Sequence, residues 1–194
     1  MPLNPANLIT AGRILLAPVL LLLAWFGQDR AFTVCLVISL VSDIVDGQVA
    51  RRFHFASELG TRLDSWADFL TYASVPLAMW WLRPDVVSSE RVVFGLALAS
   101  YAVPIALGFV KFRRLTTYHT FLARLSAYLL GAAVVVMFLH GPLLLLRGAV
   151  AVLVLAELEE IAITLLLPEP HSNVRHLGRA LELRRRRPAP DRPA

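Results

Sequence analysis

Apolar residues in this chain fall in long unbroken runs, separated by short polar punctuation. Six runs reach the roughly 20 residues that a helix needs to cross a bilayer. They cover residues 8–26, 31–50, 61–82, 92–110, 120–139 and 143–167. The breaks use turn and stop residues: Gly27-Gln28-Asp29, Arg83-Pro84-Asp85, His140-Gly141-Pro142, and Pro168 with Pro170. Pro104 predicts a kink in the fourth run. None of the runs alternates as a barrel strand would, and in lipid only helices or closed barrels satisfy the backbone. The pattern predicts an all-α integral membrane protein with six transmembrane helices over residues 1–170. Residues 171–194 read as a basic cytoplasmic tail, partly disordered, with Arg184 to Arg187 set to attract anionic lipid.

Composition agrees with that pattern. The chain is 57% hydrophobic and 17% charged, and its mean hydropathy is +0.64. A soluble globule is usually below about half apolar. The net charge of +5 comes from local clusters, so nucleic acid is not a partner the sequence calls for. The single cysteine, Cys35, excludes a disulfide framework within the chain. Residues 1–7 carry no Lys or Arg, and no small-residue cleavage site follows the first run. The first run therefore reads as a retained helix, not a signal peptide.

The basic residues orient the bundle. With the N-terminus inside, 15 Lys or Arg fall on the cytoplasmic side, and four (Arg30, Arg83, Arg91 and Arg147) fall outside. That bias predicts both termini in the cytoplasm. Trp25, Trp80 and Trp81 then lie at the outer interface, where aromatic belts are expected.

Against this apolar background, residues 43–68 stand out. Four aspartates occupy 26 residues: Asp43, Asp46, Asp64 and Asp68. A carboxylate near a bilayer is costly, so four together need a common reason. Asp43, Asp46, Gly47 and Ala50 are spaced i, i+3, i+4, i+7, which is one helical face. Gly60, Asp64 and Asp68 are spaced i, i+4, i+8 on the next helix. Two antiparallel helices turning these faces together would surround one cavity with carboxylates. Like charges at that spacing require a cation. All-oxygen ligands point to one or two Mg²⁺, Mn²⁺ or Ca²⁺ ions. The small residues let a ligand approach the backbone, and Arg51 suits phosphate. The set suggests phosphoryl transfer from a nucleotide-like donor. The structural alternative is a group of ion pairs, Asp43 with Arg13, and Asp64 with Arg62 or Arg124.

The order Asp-x-x-Asp-Gly-x-x-Ala-Arg, eight residues, Gly-x-x-x-Asp-x-x-x-Asp resembles the signature of the CDP-alcohol phosphotransferase family. Asp43, Asp46, Gly47, Ala50, Arg51, Gly60, Asp64 and Asp68 match every defined position. The resemblance implies a homodimeric membrane enzyme of phospholipid biosynthesis with its site at the cytoplasmic interface. It implies attack of an alcohol hydroxyl on the donor β-phosphorus, with CMP leaving. The four aspartates would bind two metal ions, Mg²⁺ or Mn²⁺, and Asp68 would also be the general base. Gly47, Ala50, Arg51 and Gly60 would hold the CDP moiety. The donor expected from the family's bacterial members is CDP-diacylglycerol.

Outside the signature, Asn7-Leu-Ile-Thr10-Ala-Gly-Arg13 is similar to the entry of the phosphatidylglycerophosphate synthase branch, although Pro5 is followed by Ala6 where the branch has Pro directly before Asn. Asn7 also suits a helix N-cap. Arg124, Lys111 and Arg114, together with Asn7, Thr10 and Arg13, are candidates for binding the acceptor or its phosphate. Glycerol 3-phosphate is the expected acceptor; inositol phosphate, serine, or a soluble CDP-alcohol with a lipid acceptor are the alternatives. Glu157, Glu159 and Glu160 lie within the sixth run and suit a structural ion pair. Rival classes are an intramembrane prenyltransferase and a cation transporter.

Overall fold

The computed structural model describes residues 5–52, 58–113, 120–167 and 176–185. All regular structure among them is helical. Six long helices follow the six apolar runs: α1 Pro5–Trp25, α2 Asp29–Arg52, α3 Glu58–Leu82, α5 Arg91–Phe112, α6 Phe121–Phe138 and α7 Leu143–Leu166. Two short helices, α4 Pro84–Ser89 and α8 Leu177–Arg185, complete the set. Leu8–Trp25, Arg91–Phe112 and Phe121–Phe138 are long and apolar enough to cross a membrane by length and composition. Helices α2, α3 and α7 are 24, 25 and 24 residues long and carry the acidic residues of the six long helices.

The chain forms two compact units. The first comprises Met1–Arg91 with Phe138–His140, and the second Val92–Met137 with Gly141–Ala194. In the first, α1 packs along both α2 and α3. The buried positions explain why. On α1 they are Thr10, Arg13, Ala17, Leu20 and Ala24, a single stripe at helical spacing. The partner stripes are Phe32, Leu36, Ser39 and Asp46 on α2, and Ala67, Thr71, Ser74 and Ala78 on α3. Most of these residues are small, which brings helix backbones close together where lipid supplies no hydrophobic drive. Ser39 and Thr71 hydroxyls lie 3.5 Å apart between α2 and α3. Gly27, at φ +66°, makes the turn between α1 and α2, where a side chain would be strained.

The sequence reads Arg83-Pro84-Asp85 only as a stop, whereas the structure also starts α4 there. Pro84 supplies the preset φ of a first helical position, and Asp85 complements the helix dipole. In the second unit, Thr120 is fully buried and its Oγ1 accepts the Ala123 N–H at 3.0 Å, capping α6. Within the tail, α8 packs on the end of α7, with Leu177 and Ala180 against Ile163 and Leu167. Glu159 Oε1 accepts the Leu177 N–H at 3.0 Å, so one of the three glutamates of α7 anchors α8.

Candidate active site

Arg13, two turns into α1, is the hub of the site. Its side chain is 3% exposed, a degree of burial that an arginine tolerates only when paired. Nη1 lies 2.7 Å from Asp43 Oδ1 and 3.3 Å from Asp46 Oδ2. Nη2 lies 2.5 Å from Asp68 Oδ1. Thr10, one turn earlier on α1, donates its hydroxyl to Asp46 Oδ2 at 2.9 Å. One guanidinium therefore gathers three of the four signature aspartates, from α2 and α3 together.

The helical spacing produces this directly. Asp43 and Asp46 extend the buried stripe of α2, and Asp68 follows Ala67 on that of α3. Since α1 packs on both helices, its own buried stripe delivers Thr10 and Arg13 to the same level. Facing stripes of α2 and α3 alone are thus not the whole arrangement, because α1 contributes the centre. The three carboxylates differ in access. Asp46 is 5% exposed, against 32% for Asp43 and 38% for Asp68. Asp46 is the enclosed member, while Asp43 and Asp68 are partly exposed.

Of the sequence-predicted residues, Asp43, Asp46, Asp68, Thr10 and Arg13 are brought together. Arg13 and Thr10, read as candidates for acceptor phosphate, are held by carboxylates. Gly60 lies on α3, in the same unit, at intermediate burial. Of Asn7, Gly47, Ala50, Arg51 and Asp64, only the helical backbone is described, and Arg114 lies outside the described residues. In the second unit, Arg124 is exposed on the first turn of α6. Lys111 donates to the carbonyls of Thr164 at 2.7 Å and Leu165 at 2.9 Å. That is the ordinary task of a lysine at a helix C-terminus. Among the described residues, no three acidic, histidine or cysteine side chains form a ready-made metal cage; the aspartates meet on the guanidinium.

At the signature residues the structure thus presents a carboxylate cluster centred on one buried arginine, in a helical unit with many exposed apolar side chains. The family comparison makes this specific. Residues 3–166 match the model of the CDP-alcohol phosphatidyltransferase family, and the chain belongs to that family. It is a transferase of that class. Two relatives are named CDP-diacylglycerol–glycerol-3-phosphate 3-phosphatidyltransferase, from Rickettsia typhi and Rickettsia prowazekii. Each is 28% identical over 147 residues, covering 66% of this chain and 78% and 76% of those proteins. A third, from Schizosaccharomyces pombe, is named cardiolipin synthase (CMP-forming) / mitochondrial hydrolase fusion protein. It is 29% identical over 117 residues, which is 59% of this chain and only 19% of that protein. No solved structure matches the chain.

Proposed function

We propose that this protein transfers a phosphatidyl group from CDP-diacylglycerol to glycerol 3-phosphate, with release of CMP, at the cytoplasmic face of the cell membrane. The observation that carries the reading is the convergence of Asp43, Asp46 and Asp68 on one cation within an intact family signature. The names of the two Rickettsia relatives support the donor and acceptor. In the reaction, the acceptor oxygen bonds to the β-phosphorus and the bond from that phosphorus to the CMP oxygen breaks. Asp68 takes the hydroxyl proton. It is the most open of the three carboxylates, which fits a base that must meet the acceptor.

The residues fit divalent metal. The donors are all hard oxygens, and three of them already converge on a positive group that stands in for a cation. Asp43, Asp46, Asp64 and Asp68 would hold two Mg²⁺ or Mn²⁺ ions. Bound there, such ions neutralise the pyrophosphate and the charge that develops at phosphorus. Gly47, Ala50, Arg51 and Gly60 hold the CDP part in this reading, and Arg124 remains the leading candidate for acceptor phosphate.

The decisive experiment incubates the purified protein with CDP-diacylglycerol and a panel of alcohols, scoring CMP release and lipid product mass. Glycerol 3-phosphate should give phosphatidylglycerophosphate. Preference for inositol phosphate, serine or a lipid alcohol would reject the acceptor and keep the class. Pyrophosphate release from a prenyl donor, with no CMP from any pair, would overturn the reading.

The same proposal includes six spans with both termini in the cytoplasm, supported by the basic-residue bias. A Ser89→Cys variant in a Cys35→Ser background should react with an impermeant thiol reagent from outside only. A homodimer, implied by the family resemblance, is checked by light scattering of the detergent-solubilised protein; a monomer mass removes it.

A further inference from the structure

We propose that Arg13 is a built-in counter-ion: it occupies the metal ligands and gives them up when a divalent ion binds. This rests on the metal-dependent reading above.

Charge is the first reason. Three carboxylates and one guanidinium leave these four groups at −2, from −3 and +1. Without Arg13 the same three carboxylates would repel one another in a low-dielectric setting. The arginine lets the ligand set assemble before any ion arrives. It does so with one positive charge for three carboxylates, so the set is not filled as it would be by a divalent ion.

Geometry is the second reason. The oxygens that Arg13 holds are Asp43 Oδ1, Asp46 Oδ2 and Asp68 Oδ1, at 2.5 to 3.3 Å. A Mg²⁺ ion needs carboxylate oxygens at about 2.0–2.1 Å. A guanidinium and a divalent ion cannot share one set of oxygens at those distances without direct repulsion between the two cations. The ion and Arg13 therefore compete. Thr10 sharpens the arrangement, because its hydroxyl fixes Asp46 independently of the arginine. Asp46 stays in place while Asp43 and Asp68 exchange one cation for the other.

Arg13 is thus a positioning residue that tunes metal affinity, and its signature appears without turnover. The test titrates Mn²⁺ into chelator-stripped full-length protein and follows the free-ion electron paramagnetic resonance signal. Arg13→Gln should tighten Mn²⁺ binding about tenfold, because a unit charge a few ångströms from a divalent ion is removed. Arg13→Lys keeps the charge but loses the fork, and should tighten it by about threefold. In thermal unfolding, metal-free Arg13→Gln should melt below the wild type, and saturating Mn²⁺ should restore most of the difference. A purely structural arginine would lower the melting temperature equally with and without Mn²⁺.

Unchanged or weaker Mn²⁺ affinity in the Arg13 variants overturns the proposal. If Arg13→Gln does not fold, Arg13→Lys decides the matter alone. A wild type that binds no Mn²⁺, or binds it equally after Asp46→Asn, overturns this proposal together with the metal-dependent reading. Competitive Mn²⁺ binding without CMP release from any donor and acceptor overturns the functional reading alone.

Discussion

Two arginines organise the same three-helix unit from opposite ends, and they do so with different charge counts. Arg13 serves three carboxylates near the start of α1. Arg83, just past the end of α3, serves one. Its Nη2 lies 2.5 Å from Asp29 Oδ2 and donates to the Phe138 carbonyl at 3.3 Å. His140 Nε2 is 3.2 Å away, and the guanidinium sits 5.7 Å over the Phe138 ring. The Arg83 cluster ties the start of α2 and the end of α3 to Phe138 and His140 within the first unit, and its ion pair sums to zero. In the Arg13 cluster one guanidinium meets three carboxylates instead of one. A one-to-one pair is complete as a structural tie, whereas the three-to-one cluster is the one that the proposed reading gives to metal. Burial alone would not separate them, since the guanidinium is the more enclosed partner in both pairs.

The largest expected effect is that of metal removal. Chelation should abolish CMP release, and Mg²⁺ or Mn²⁺ should restore it, while the Arg83 cluster, which needs no ion, keeps its half of the unit folded. Activity that survives exhaustive chelation would erase the functional side of the contrast. Next comes Asp68→Asn, which removes the proton acceptor and one ligand but keeps the shape. Turnover should fall about 10³-fold, within the range for losing a general base, and CDP binding should be partly retained. A transporter would instead keep its activity after this change, so steady-state CMP release together with nucleotide binding decides.

The sequence makes one side of this contrast legible and hides the other. Six apolar runs became six long helices, because run length and stop residues carry that information. The signature spacing set Asp43 and Asp46 on one face of α2, and Gly60, Asp64 and Asp68 on one face of α3. What spacing within a helix cannot supply is the residue of another helix that falls opposite. Arg13 was visible as a partner for Asp43, but its role as hub for Asp46 and Asp68 depends on α1 packing along both helices. Arg83 read only as a loop-flanking cation, since Asp29 and Phe138 are far from it in sequence. Helix α8 was hidden by its basic composition; among the described residues its apolar packing on α7 is made by Leu177 and Ala180. Lys111 shows the converse. A cation beside a loop suggests phosphate, yet its ammonium is spent on the last carbonyls of α7.

A smaller effect tests the structural member of the pair. Arg83→Ala removes the partner of Asp29 and the donor to Phe138. Hydrogen bonds to charged groups contribute about 1.5–3 kcal/mol, so stability should drop by about 2 kcal/mol. The measurement is thermal unfolding in detergent beside steady-state kinetics. The melting temperature should fall, with kcat for the folded fraction within about twofold of wild type. A large loss of kcat at unchanged stability would show that the outer cluster is not merely a tie.

Thr10→Val gives the smallest and most discriminating change. The side chains are nearly the same size, so packing against α2 and α3 is kept and only the hydroxyl is lost. A hydrogen bond of this kind contributes about 1 kcal/mol. If Thr10 acts by fixing Asp46, that loss passes through the carboxylate into the chemistry: kcat falls about fivefold while KM for glycerol 3-phosphate stays constant. If Thr10 instead touches the phosphate of the acceptor, KM rises and kcat holds. The first outcome assigns the α1 residues to the carboxylate cluster, as the 2.9 Å bond to Asp46 Oδ2 indicates. The second returns Thr10 to the acceptor and leaves Arg13, among the described residues of α1, to hold the aspartates.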